Sequence, residues 1–215
     1  VGQLWSFKRG AQPPTRKAIA EKLPLVDYRK LEIDADAKTV RLAKAGMMLG
    51  LGAIAKGYAV DRASAVLTER GLPHHVVEAG GDTYAAGTKG GKPWAVGIQT
   101  PGERGVVGVL PSSNRAVVTS GDYQRFFEFE GKRYAHILDP KSGWPVPAER
   151  SPRSVTLVAD NATDADAYAT AVAVMGVEAG LAFVERLPAI EAVVIDSAEK
   201  VHISSGLVEE IVQTP

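Results

Sequence analysis

Apolar and polar positions alternate at 28–34 and 39–42, on either side of a polar Ala-Asp-Ala-Lys stretch, and this predicts an antiparallel hairpin early in the chain. Ahead of it, residues 13–23 read as a short helix opened by proline and stopped before Pro24. From 52 to 70 the period changes. Ile54, Tyr58, Val60 to Ala63, Val66 and Leu67 recur at helical spacing, and Gly71 followed by Pro73 ends the helix. Strand-like runs follow at 74–79, 93–99, 105–110, 114–119, 125–130 and 133–138, divided by Gly-Gly-Asp, Thr-Pro-Gly, Glu-Gly-Lys and Asp-Pro-Lys-Ser-Gly turn signals. That is the pattern of a meander, not of a regular βαβ series. A strand at 154–159 leads into helices at 163–175 and 177–187 broken by Gly176, and strands near 190–196, 200–204 and 208–213 close the chain. The pattern predicts an α+β fold built on an antiparallel sheet.

Composition narrows the functional classes. The chain has 215 residues, 45% of them hydrophobic, enough for one domain or two small ones with a real core. Its 25 Lys and Arg cancel its 25 Asp and Glu, so it shows neither a basic nucleic-acid footprint nor an acidic tail. No run approaches the roughly 18 consecutive apolar residues of a membrane span, so no transmembrane segment is expected. The first residues, Val1-Gly-Gln-Leu-Trp-Ser-Phe7, carry no basic region followed by an apolar run. Without cysteine there are no disulfides, thiolate metal sites or cysteine nucleophiles, and the redox compartment stays open.

Three segments carry candidate chemistry. In Leu49-Gly-Leu-Gly-Ala-Ile-Ala-Lys-Gly57 a strand-like run breaks into glycines where a helix begins, and exposed N–H groups at a helix start favour an anion such as a phosphate, with Lys56 adding a point charge. The same segment reads equally as a tight strand-to-helix turn. Gly50-x-Gly52-x-x-Ala55 with Glu78 also suggests a dinucleotide fingerprint, but that reading needs parallel strands and a carboxylate about 20 residues on. In Asn161-Ala-Thr-Asp-Ala-Asp-Ala-Tyr-Ala-Thr170, Asp166 and Thr170 stand one helical turn apart and offer hard oxygens to one point, as Mg²⁺ prefers. Helix capping by Thr163 and Asp164, with Asp166 complementing the helix dipole, is the plainer alternative. His136, at a strand end before a Pro-Gly turn, can face a cleft and titrate near neutrality, although a lone histidine is more often structural. His74, His75 and His202 have no comparable setting. Thr119-Ser-Gly-Asp-Tyr123 lacks the Gly-x-Ser-x-Gly elbow that would make Ser120 a hydrolase nucleophile.

Taken in order, Gly52-Ala-Ile-Ala-Lys-Gly-Tyr-Ala-Val-Asp-Arg-Ala63, Gly80-Gly-Asp82, Trp94-Ala-Val-Gly-Ile-Gln-x-Pro101, Thr119-Ser-Gly-Asp-Tyr123, His136-Ile-Leu-Asp-Pro-x-x-Gly143 and Ala165-Asp-Ala-x-Ala-Thr170 resemble the FAD:protein FMN transferase (ApbE) family over nearly the whole chain. The resemblance implies a single ApbE-like (T-fold-like) domain over 1–215, α+β, with a largely antiparallel sheet flanked by helices. It implies Mg²⁺-dependent cleavage of the FAD pyrophosphate, with FMN moved onto a Ser or Thr hydroxyl of an acceptor flavoprotein and AMP released. The family's metal ligands fall on Asp166, Thr170 and the backbone carbonyl of Ala53. Its FAD contacts fall on Lys56, the stretch around Leu138 and the position of Gly50, where the family commonly has Asp. His136 matches the histidine proposed to take the acceptor's proton, and Asp139 would brace the turn behind it.

The physical chemistry agrees with these roles. Phosphoryl transfer asks a protein mainly to align reactants and neutralise charge, so a metal, a helix N-terminus and a lysine are expected parts, completed by a general base. The resemblance also implies that the family's N-terminal segment, with its secretory or lipoprotein signal and part of the flavin pocket, is missing here. Such a chain is a fragment or a reduced version. A periplasmic or extracytoplasmic location, a lipid anchor on the missing part, and acceptors among membrane redox complexes or secreted flavoproteins follow as family expectations. FAD hydrolysis to FMN and AMP is the close enzymatic alternative, and a non-catalytic flavin-binding remnant the non-enzymatic one.

Overall fold

The structure, a computed structural model, describes residues 1–102, 105–121 and 125–213. In chain order its elements begin with α1 (Arg16–Lys22), the strands β1 (Leu31–Asp34) and β2 (Thr39–Leu42), and α2 (Ala55–Glu69). The middle of the chain supplies β3 (His75–Ala79), β4 (Asp82–Ala86), β5 (Trp94–Gln99), β6 (Val106–Ser112), β7 (Arg115–Gly121), β8 (Phe126–Phe129) and β9 (Lys132–Ala135). The last part adds β10 (Ser154–Ala159), α3 (Ala162–Met175), α4 (Val177–Val184), β11 (Ile190–Ile195), β12 (Val201–Ile203) and β13 (Val212–Gln213). Among the described residues every strand pair is antiparallel, and helices pack on the largest sheet, so the α+β expectation holds.

The chain divides into two compact units, Val1–Gly50 with Arg125–Val146, and Leu51–Gln124 with Pro147–Pro215. The first unit has an aromatic core. Trp5, Ile19, Phe127 and Tyr134 are buried together, with Phe7, Leu138 and Trp144 packed around them. Trp5 meets Trp144 edge-on at 5.3 Å, Phe127 stacks on Tyr134 at 5.1 Å, and the Trp5 indole N–H donates to the Gly143 carbonyl at 3.0 Å, so the one polar atom of that ring is satisfied. The β8–β9 hairpin supplies Phe127 and Tyr134 to this core, and the β1–β2 hairpin of the same unit is mostly exposed. The antiparallel pairing of β1 with β2 removes the dinucleotide-fold reading, which requires parallel strands beside Gly50.

The second unit carries a six-stranded sheet in the order β12-β11-β10-β7-β4-β3 and a three-stranded sheet in the order β13-β6-β5. Ile98 and Leu110 of the smaller sheet meet Val117, Val158 and Val193 of the larger one in an apolar core. Helices α2, α3 and α4 cover the larger sheet. All six residues of β10 are consequently buried, which is why Ser-Val-Thr-Leu-Val-Ala reads as an almost continuous small or apolar run.

Two expectations need correction. The strands do not form a meander, because β5 and β6 leave the large sheet for the small one between β4 and β7. A strand over Asp82–Ala86 was also not expected. Gly80 and Gly81 take φ of 58° and 94°, so the chain reverses in two residues and Asp82 pairs directly with Ala79. The low hydrophobicity of Asp-Thr-Tyr-Ala-Ala conceals a strand that gains its burial from neighbours on both sides. At smaller scale, a 3₁₀ turn carries the first helical segment through Pro24 to Leu25, Tyr28–Lys30 is a 3₁₀ turn and not part of β1, α4 stops at Val184, and only Val212–Gln213 of the last expected strand pairs.

Helices α2 and α3 are in close contact at Gly57. A Cβ there would press into the Ala162 carbonyl and lie 2.9 Å from the Asp166 Cβ. Gly57→Ala is therefore expected to lower the unfolding free energy by about 1–3 kcal/mol or more, read as an earlier urea midpoint. Gly52→Ala, whose methyl would meet nothing within 4 Å, should stay within about 0.5 kcal/mol of the parent. Equal midpoints for the two variants would contradict the close approach.

Candidate active site

The glycine turn and the distant aspartate come together. Leu51 accepts from the Ile54 and Ala55 N–H groups as α2 begins, and the third helical residue, Gly57, donates its N–H to Asp166 Oδ2 at 3.0 Å. An orphan donor of the helix start thus receives a carboxylate from another helix, at the end where the dipole favours negative charge. The arrangement is reciprocal. Asp61, on α2, accepts from the Ala162 N–H at 2.8 Å and the Thr163 N–H at 2.9 Å, and also takes the Thr163 hydroxyl proton in a hydrogen bond. Each helix accepts from N–H donors at the start of the other.

Within this frame Asp166 is 2% exposed and does more than complement the dipole of its own helix. The N-cap of α3 is Asn161, whose side chain accepts from the Asp164 N–H, while Thr163 turns to Asp61. Thr170 follows Asp166 by one turn and is half-buried, and Ala53 lies in the exposed turn leading into α2. Lys56 reaches Asp82 Oδ1 at 2.6 Å, with Gly80 O at 3.4 Å. Asp82 is completely buried, and its carboxyl lies against that of Asp166. Among the described residues no group of three or more His, Asp or Glu is placed to hold a metal. Two adjoining carboxylates with a hydroxyl one turn along suit Mg²⁺, which commonly takes one or two protein carboxylates and leaves its other positions to water and phosphate. The orphaned, buried Asp82 Oδ2 is the observation that most favours a cation here.

His136, Leu138 and Gly50 belong to the first unit. The His136 Nδ1 lies 3.2 Å from the Arg125 carbonyl, which can only accept, so Nδ1 carries the proton and Nε2 is the basic nitrogen of the neutral ring. The Phe7 ring meets the imidazole edge-on at 6.3 Å. Behind it, Asp139 Oδ1 accepts from the Lys141 N–H and the Asp139 carbonyl from the Gly143 N–H, so Asp139 does brace the turn. Leu138 packs on the aromatic core, and Gly50 borders a cleft of about 580 Å³ lined also by Leu4, Val26, Tyr28 and Met48. Asp122 and Tyr123 of the Thr-Ser-Gly-Asp-Tyr block lie outside the described residues.

Other candidates are absorbed by local structure. Glu78 accepts from the Gly81 N–H and closes the hairpin turn, so it is no ribose carboxylate. His75 bridges Ser64 and the Leu72 carbonyl, His202 pairs with Asp196, and His74 accepts from the Thr88 N–H. Two residues carry more than the sequence revealed. Asp61 shares the inward stripe of α2 with Gly57, Val60 and Ser64, and a carboxylate on such a stripe signals a required partner. Asp82 gave no signal beyond its place after Gly-Gly.

The sequence profile of the ApbE family matches residues 1–194. The FAD:protein FMN transferase of Treponema pallidum is 39% identical over 227 residues, covering 97% of this chain and 62% of that protein. The FAD:protein FMN transferase of Haemophilus influenzae is 35% identical over 195 residues, covering 86% and 56%. In structure, the chain is similar to the ApbE protein from Thermotoga maritima, with a TM-score of 0.84 and 35% identity over 93% of this chain and 64% of that one. It is also similar to the flavin transferase ApbE from Vibrio cholerae, with a TM-score of 0.82 and 29% identity over 97% and 68%. The chain spans about three fifths of the length of the curated relatives it matches.

Burial pushes the Asp82 carboxyl up from 3.8 to about 6, the Lys56 hydrogen bond opposes the rise, and the neighbouring Asp166 charge adds to it. An acid that holds its proton more tightly folded than unfolded costs stability as pH climbs from about 4 through about 6, and the loss is complete above that window. Relative to Asp82→Asn, which cannot ionise, the parent should lose up to about 3 kcal/mol between pH 4 and pH 7. Urea midpoints that stay parallel over this range would show that Asp82 ionises without penalty.

Proposed function

We propose, from the premise that the chain belongs to the ApbE family, that it takes part in Mg²⁺-dependent transfer of FMN from FAD to a Ser or Thr hydroxyl of an acceptor flavoprotein, with release of AMP. The observation that carries this reading is the Asp166 carboxylate fixed on the N-terminus of α2 through the Gly57 N–H, beside the Lys56 ammonium. Phosphoryl transfer calls for a cation, a positively polarised helix end and a positive side chain around the transferring group, and a buried carboxylate at a helix start beside a lysine supports that reading.

Asp166, Thr170 and the Ala53 carbonyl would hold Mg²⁺, which when bound offsets charge on the diphosphate. Lys56 supplies a point charge to a phosphate oxygen. His136 Nε2 accepts the proton of the acceptor hydroxyl as that oxygen bonds to the phosphorus of the FMN half, and the bond from that phosphorus to the AMP oxygen breaks. The positions of Leu138 and Gly50 contribute to FAD binding. The acceptor belongs to the membrane redox complexes or secreted flavoproteins of the family, and the place of action is extracytoplasmic.

Incubation with FAD, Mg²⁺ and a Ser/Thr acceptor peptide tests the reading. Flavinylated peptide and AMP in equal amounts are expected, whereas FMN and AMP without labelled peptide would identify hydrolysis, and no AMP at saturating metal a binding remnant. Asp166→Ala should abolish the Mg²⁺-dependent transfer. His136→Ala should slow transfer by about 10²–10⁴-fold, measured as initial rate of peptide labelling, with FAD affinity unchanged.

A further inference from the structure

Asp82 is a buried carboxylate with one oxygen answered and one not. Its Oδ1 accepts from Lys56 Nζ at 2.6 Å, while Oδ2 is shielded from solvent and has no hydrogen-bond partner. The Asp166 carboxyl lies against it, and Asp166 Oδ2 accepts from the Gly57 N–H. Two carboxylates and one ammonium leave a negative charge over in a place where Asp82 is 0% and Asp166 2% exposed. Buried charge left without a partner is costly, and an orphaned acceptor adds to that cost. A small hard cation answers both oxygens at once.

We propose that Asp82 is, with Asp166, the second carboxylate of a divalent-cation seat, and that Lys56 is the resident counter-ion that yields when the cation enters. Lys56 is built for this exchange. Its side chain is 43% exposed and unbranched, so its ammonium can swing outward into water or toward an anion without disturbing the packed face of α2. Once the divalent ion is seated, it neutralises the two carboxylates, and the released Lys56 ammonium is left as an unpaired positive charge beside it. A diphosphate then meets two positive centres where the metal-free protein offers one neutralised pair, so anion affinity becomes conditional on the metal. The inference rests on the flavin-transfer reading only for the identity of the ion as Mg²⁺ and of the anion as a diphosphate.

Mn²⁺ binding to the full chain, followed by electron paramagnetic resonance with and without FAD, tests the seat without recourse to activity. Asp82→Asn should raise the Mn²⁺ dissociation constant about 10–100-fold. Lys56→Met, which leaves Asp82 without its ion pair and whose folding is therefore checked by its urea midpoint, should lower it several-fold when FAD is absent, because a competing cation is gone. An Asp82→Asn protein with the parent's affinity, a Lys56→Met protein that binds no more tightly, or a parent that binds no Mn²⁺ overturns the inference. Asp166→Ala separates the two levels. If it alone abolishes binding, the inference falls and the flavin-transfer reading stands; if it binds Mn²⁺ as the parent does, the reading loses its metal ligand.

Discussion

Two helix ends in this protein are completed by carboxylates from each other's helix. An isolated helix leaves its first N–H groups without partners, and solvent normally supplies them. Here Asp166 satisfies Gly57 and Asp61 satisfies Ala162 and Thr163, so α2 and α3 fix each other's position through charge-assisted hydrogen bonds instead of through apolar contact alone. The contact requires a residue with no side chain at its centre, and Gly57 is that residue. Without the paired caps, Asp166 would be an unpaired charge on a buried helix face.

The same close approach concentrates negative charge. Packing α2 and α3 over β4 brings Asp82 beside Asp166, and the dry interior raises the cost of keeping both ionised. Lys56 reduces that cost from the N-terminal turn of α2, where its backbone already stands in a field that attracts anions. The tension between these groups is a property of the fold itself. A cluster that is neutral and fully bonded has nothing to gain from a cation, and this one is neither, because Asp82 Oδ2 is buried without a hydrogen-bond partner.

Much of this was legible in the residues, for reasons that differ by element. The helix at 55–69 announced itself through a sustained 3.6-residue period with glycine and proline behind it, and β10 through a run too apolar to be anything but interior. The link between Asp166 and the glycine turn was reachable only by resemblance, because 109 residues separate the partners and no local pattern encodes a cap supplied from that distance. β4 escaped notice because polar and small residues fill it and its burial is conferred by β3, β7 and the helices above. Asp82 escaped with it. Asp61 is legible from its position on the inward stripe of α2 with Gly57, Val60 and Ser64. Helix ends and strand memberships that depend on a neighbouring sheet, such as the departure of β5 and β6, are tertiary decisions that a linear pattern does not contain.

The Gly80–Gly81 turn bears on how this molecule can change over time. Short, glycine-rich surface loops usually accept insertions and deletions with little penalty. In this one, a single added or lost residue would slide β4 by one position against β3, and the pleat would exchange the outlook of Asp82 with that of Thr83. The carboxylate would leave the helix side of the sheet and a hydroxyl would take its place. Length, more than composition, is what this loop must preserve, and lineages that lengthened it would be expected to have abandoned the partnership between Lys56 and the sheet beneath it.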